Sequence, residues 1–190
     1  MSRVEQWVAE RVAQDPQMRS AAAARSLHVG ESRGPDGAHE LLAVLTRQHD
    51  HLTALGKRLG AIPAYGASDE QVQQRAAIID LIRDVASRHE SAERRYLWPA
   101  VRTHLADGDA RADAALAQEQ QSNDTLAALA TAAPDSDEHG RLAEQLISQL
   151  RAHVAYEDKV FLDLRDATDE QTRSELGERF LQAYERKEPA

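Results

Sequence analysis

His89-Glu90-Ser91-Ala92-Glu93 and His153-Val154-Ala155-Tyr156-Glu157 follow one pattern: a histidine, a glutamate four positions on, and then large apolar residues, with Leu97 or Phe161 four beyond the glutamate. Positions i and i+4 of an α-helix share a face, so an imidazole and a carboxylate spaced this way can reach one metal centre. On a solvent-facing helix the same pair would be only a contact worth about 0.2–0.5 kcal/mol. Register favours the metal. Both pairs fall in the last third of a long helical pattern, and the two segments read as copies of one another. The chain has no cysteine, so disulfides, thiolate nucleophiles, iron–sulfur clusters and thiolate zinc sites are excluded, and any metal must sit on His, Asp, Glu or Tyr.

Four helical patterns must position these pairs. Helix A runs from Ala38 to Leu59 with Leu41, Leu42, Leu45, Leu52, Leu55 and Leu59 on its apolar side, and is closed by Gly60 and Pro63. Ser68 and Gln71 form a capping box that opens helix B, which carries Ile78, Ile79, Ile82 and Val85 and is expected to end near Leu97, before Pro99. Helix C follows Asp107-Gly108-Asp109 and reaches about Ala132, and helix D spans about Asp137 to Leu164. Short connections imply an up-down-up-down four-helix bundle, all-α, over residues 38–166.

Two further segments flank it. Residues 1–37 read as an N-terminal helical appendage (Val4, Trp7, Val8 and Val12, then a second short helix after Asp15-Pro16) ending in the linker Gly30 to Gly37. Residues 167–190 read as a C-terminal amphipathic helix and tail, with a Thr168/Gln171 capping box and Leu176, Phe180, Leu181 and Tyr184 on one face.

A duplicated hairpin would offer a ligand from each of the other two helices. His49 shares its face with Leu52 and Leu55, which favours it over His51. On helix C, Glu119 follows Leu116 by three residues; Asp124 and Asn123 are the alternatives there. The candidate metal set is therefore His49, His89, Glu93, Glu119, His153 and Glu157. Glu90 and Tyr96 are further candidates for ligation or for orienting an imidazole. His28, His39, His104 and His139 lie near expected loops and are read as solvated. Tyr96, Trp98, Tyr156 and Phe161 are read as bundle core, with Trp98 closing its end.

Composition agrees with helices: Ala, Leu, Glu, Gln and Arg dominate, and aromatic residues make up 4%. The net charge of −9 comes without a long basic tract, which argues against nucleic acid or an anionic membrane surface as partner. No apolar run approaches the roughly 20 residues of a membrane span, and the amphipathic start MSRVEQWVAERV is unlike a signal peptide, so a cytoplasmic location is expected. Gly-rich phosphate loops, the G-x-S-x-G elbow and H-E-x-x-H are absent.

The segments QHDHLTAL at 48–55, HESAERRYLWP at 89–99 and HVAYEDKVFL at 153–162 resemble the hemerythrin-like (HHE cation-binding) family over about Leu41 to Leu164. That family places a lone His on the first helix, H-x-x-x-E on the second, His on the third and H-x-x-x-E on the fourth. Two departures stand out here. Glu119 occupies the place of the third-helix histidine, and Asp163 stands where proline is usual.

The resemblance implies two iron ions joined by an oxide bridge (Fe–O–Fe), with manganese or zinc as substitutes. It also implies binding of or reaction with O2, peroxide or NO, in sensing, scavenging or a catalase-like reaction. An anionic ligand in place of a histidine moves the expectation away from simple O2 carriage. Iron storage and a metal-free helical interaction module are the competing readings. The expected partner is a small diatomic or peroxide ligand, and the expected assembly a monomer or homodimer.

Overall fold

The computed structural model describes residues 40–185, all-helical with no strand among them. The expectations for residues 1–37 lie outside the described residues. Helix α1 (Leu41–Gly60) starts at Glu40, whose carboxylate accepts from Ala43 N–H at 3.1 Å, and ends with Lys57 and Arg58 beside its terminal carbonyls. Helix α2 (Asp69–Ala92) opens on the expected capping box, in which Ser68 and Gln71 each accept the other's backbone N–H.

The end of this helix differs from expectation. The chain does not stop before Pro99: it widens into a π-helical turn, Glu93–Leu97, and continues as α3 (Trp98–His104). Proline has no N–H to donate, and its ring collides with the carbonyl one turn back in a regular helix. The wide turn, in which Trp98 N–H reaches Glu93 O, relieves that collision. Trp98 therefore lies inside the bundle, 2% exposed.

Helix α4 (Gly108–Thr131) follows a tight turn at which a side chain on Gly108 would meet Val101 O at 2.2 Å. Helix α5 (Asp137–Ala167) is capped by Ser136, which accepts from His139 N–H, and runs three residues beyond its expected end. Helix α6 (Glu170–Glu185) is capped by Asp169, which accepts from Thr172 N–H at 2.7 Å. The expected cap, Thr168, instead donates its hydroxyl to Leu164 O. A carboxylate one residue nearer the helix is the better acceptor for its first N–H groups.

Helix α1 packs between α2 and α5, α4 packs on α5 and α3, and α6 lies across α1, α2 and the π turn. The interior holds two apolar clusters. One, around Leu52, Ile82, Leu126 and Leu146, is aliphatic. The other, around Leu45, Trp98, Val160, Phe161 and Phe180, carries the aromatic residues. Burying each large side chain contributes about 1.5–3 kcal/mol. Along the helices, the buried ionisable residues fall between members of the two clusters: His49 between Leu45 and Leu52, His89 between Ala86 and Ala92, and Glu157 between Leu150 and Val160. No helix among the described residues is long and apolar enough to cross a membrane.

Candidate metal centre

One polar layer collects side chains from four helical segments: His49 from α1, His89 and Glu93 from α2 and the π turn, Glu119 from α4, and His153 and Glu157 from α5. Exposure is 0% for Glu93 and Glu157, 1% for His89 and Glu119, 3% for His49 and 7% for His153. Each helix presents these groups inward because they continue its apolar stripe. His49 Nε2 lies 2.9 Å from Glu157 Oε2, His89 Nε2 3.0 Å from Glu93 Oε1, and His153 Nε2 3.3 Å from Glu157 Oε1.

These short approaches are not hydrogen bonds. His49 Nε2, His89 Nε2, both nitrogens of His153 and all four carboxylate oxygens of Glu93 and Glu157 are buried without a hydrogen-bond partner. Buried polar atoms are ordinarily paired, and leaving one unpaired costs about 1–3 kcal/mol. His49 Nε2, His89 Nε2, one nitrogen of His153 and the oxygens of Glu93 and Glu157 come together in a way that fits a cation, which would take their lone pairs. The ligand atoms fall into two groups, each mutually within 4.8 Å: His49, His89, Glu93 and Glu157, and Glu93, Glu119, His153 and Glu157. Glu93 and Glu157 belong to both groups.

The outer nitrogens orient two of the rings. His89 Nδ1 lies 2.6 Å from Gln48 Oε1, and His49 Nδ1 lies 3.3 Å from Asp158 Oδ1. An oxygen acceptor there keeps a proton on Nδ1 and, in the neutral ring a metal would bind, leaves Nε2 bare toward the layer. Phe161 stacks on His49 at 5.2 Å between ring centroids, and Phe180 of α6 meets His89 edge-on at 6.2 Å.

Without a cation the layer neutralises itself with protons. Burial pulls His89 down to about 3, with His49 adding to the effect, and also lowers His153. Burial lifts Glu93 to about 8. It lifts Glu119 to about 8 as well, aided by Glu93 and Glu90 and opposed by Arg94 and Trp98. Burial alone would lower His49, but the Asp158 and Glu157 carboxylates outweigh it and raise it to about 10.

All six residues of the candidate set meet in this layer, and His51 is exposed outside it. Asp124 is exposed and accepts from Gln120. Asn123 donates to Glu90 Oε2 at 2.8 Å, so Glu90 faces α4 rather than the layer. Tyr96 packs against the aromatic cluster. Asp163, in the place of a proline, pairs with Arg111 of α4.

His139 is buried, 3% exposed, contrary to its reading as a solvated histidine, because the first turn of α5 tucks under the loop after α1. A side chain on its neighbour Gly140 would meet Ala64 O at 2.3 Å. Helical periodicity does not single out Gln48, Asp158 or Arg94. The only signal for them was position: Gln48 and Asp158 each adjoin a ligand candidate, and Arg94 adjoins Glu93.

A family model described as Hemerythrin HHE cation binding domain matches residues 40–165, about two thirds of the chain, ending before α6. No curated protein and no solved structure matches the chain.

Proposed function

Because the chain belongs to the hemerythrin HHE cation-binding family, we propose that the layer holds two iron ions and that the protein binds or reacts with O2, peroxide or NO. The observation that carries this reading is the pair of buried ligand groups that share Glu93 and Glu157, in which the inward atoms of all members but Glu119 have no hydrogen-bond partner. His49 and His89 would serve one ion, His153 and Glu119 the other, and the two shared carboxylates both. Three carboxylates offset about half the charge of two ferric ions, as a dry interior requires. When bound, the metal pair supplies one-electron redox chemistry toward a small oxidant.

The protein's own contribution is exclusion and orientation. With every residue of the layer at most 7% exposed, bulk water is kept out. Gln48 and Asp158 hold two imidazoles with Nε2 toward the ions, and Phe161 and Phe180 wall the His49 and His89 side. A layer of six ligands suits two ions rather than a mineral store, which sets this reading above iron storage.

Anaerobic reconstitution with Fe(II), oxidation and elemental analysis are expected to give two irons per chain with near-ultraviolet charge-transfer absorption. Addition of peroxide or NO should then change that spectrum. Metal content near zero after reconstitution would overturn the metal reading, and a spectrum indifferent to O2, peroxide and NO would reduce the protein to metal storage.

A further inference from the structure

Glu119 differs from the other carboxylates of the layer. Its Oε2 accepts from Arg94 Nη2 at 2.6 Å and its Oε1 from Trp98 Nε1 at 3.1 Å, whereas no oxygen of Glu93 or Glu157 has a partner. Arg94 and Trp98 stand at and just beyond the π turn, close to Glu93. The Arg94 side chain is 45% exposed, while the two carboxylates that its Nη2 bridges, Glu119 and Glu90, are 0% and 8% exposed. Glu90 keeps a second partner in Asn123.

The two holders of Glu119 are unequal. Water can take the place of Glu119 around a half-exposed guanidinium at little cost. The indole N–H of Trp98, 2% exposed, has no such substitute. A cation beside Glu93, His153 and Glu157 therefore competes with Arg94 for Glu119, while Trp98 fixes the carboxylate in place.

We infer that Arg94 is a positioning residue that holds Glu119 in reserve, making the ion position nearest Glu119 the weaker and more labile of the two. The inference rests on the two-ion reading proposed above. In the absence of a competing cation Arg94 holds Glu119 by a hydrogen bond to Oε2. On occupation of this position Glu119 passes from the guanidinium to the ion, and Arg94 turns to Glu90 and water. The consequence is stepwise loading: the position of His49, His89, Glu93 and Glu157 fills first, and the position that depends on Glu119 fills second.

Titration of the metal-free full chain with Mn(II), followed by calorimetry, tests this. The wild type should take two ions in two resolved steps. Arg94→Ala, with Arg94→Gln as the variant that keeps a long polar side chain, should tighten the second step about tenfold by removing a competing positive charge, and leave the first within about threefold.

Trp98→Phe should act in the opposite direction and loosen the second step, because Glu119 loses its anchor. Opposite signs at two neighbouring holders of one carboxylate would not arise from general damage to the fold, which loosens both steps. Adding Glu119→Gln to Arg94→Ala should abolish the gain.

A second step unchanged or weakened in both Arg94 variants, or a gain that survives Glu119→Gln, overturns the role of Arg94 while leaving the two-ion centre standing. A wild-type chain that takes one ion or none overturns the two-ion reading itself.

Discussion

Two places in the bundle bury charge, and they treat it in opposite ways. Arg75, 2% exposed, spends its terminal nitrogens on the chain: Nη1 donates to Pro63 O at 3.2 Å and Ala64 O at 2.9 Å, and Nη2 to Pro134 O. It ties together the loops at the aliphatic end of the bundle. In the ligand layer Glu93, Glu157, His49, His89 and His153 converge on one another, and their inward-facing atoms have no hydrogen-bond partner. Arg75 leaves only Nε unmet, and its terminal donors, met from within, support the fold, whereas lone pairs that converge unmet are built for something that arrives from outside.

Removing one shared carboxylate is the most severe way to break this contrast. Glu157→Ala should lose both ions, since Glu157 stands in both ligand groups. Metal content after reconstitution should fall to background, whereas the metal-free chain loses the contact of Glu157 with His49. A variant that still takes two ions would mean that the layer is not organised around Glu157.

Arg75→Ala should give the mirror image. Three carbonyls lose a charged donor, so a loss on the order of 4 kcal/mol is expected in denaturant unfolding, with two ions still bound. Loss of metal at unchanged stability would erase the distinction between the two regions.

The sequence made the four long helices legible, together with the six residues that meet in the layer, because apolar periodicity and ligand spacing are properties of single helices. It did not disclose the continuation through Pro99, since a π turn depends on how the backbone around Glu93 and Trp98 settles against α4. Nor did it reveal the partners of the ligands. Gln48 adjoins His49 in sequence yet serves His89 on another helix, and Arg94 reaches Glu119 on α4. Such pairings arise only once helices are packed, and helical periodicity carries no record of them.

Acidity sharpens the comparison next, because burial shifts the proton affinities of the layer's own residues. Without metal, Glu93 and Glu119 hold protons up to about pH 8 in the folded chain but release them near 4.5 when unfolded, and His49 holds its proton to about 10 rather than 6.5. Above pH 6.5 the folded state thus binds more protons than the unfolded one, and stability falls as pH rises. His89, lowered to about 3, contributes an opposite slope only between about 3 and 6.5.

The metal-free protein should therefore lose on the order of 3 kcal/mol between pH 6.5 and 8. The metal-loaded protein should lose far less, because binding has already displaced those protons, and metal affinity should rise over the same interval. Thermal midpoints of both forms at the two pH values measure this; parallel declines would show that the layer's protons are not what the metal displaces.

The smallest effects should separate the two supports of the imidazoles. Gln48 is buried and its oxygen lies 2.6 Å from His89 Nδ1, whereas Asp158 is 59% exposed and its oxygen lies 3.3 Å from His49 Nδ1. Gln48→Leu frees the His89 ring to rotate and leaves its N–H unpaired in a dry site, so the first ion should bind about tenfold more weakly. Asp158→Ala removes a screened contact that water can replace, and its effect should stay within about threefold and shrink further at high salt. Equal losses in the two variants would mean that ring orientation is set by packing against Phe161 and Phe180 rather than by the hydrogen-bond partners, since those aromatic contacts are what the two histidines would still share.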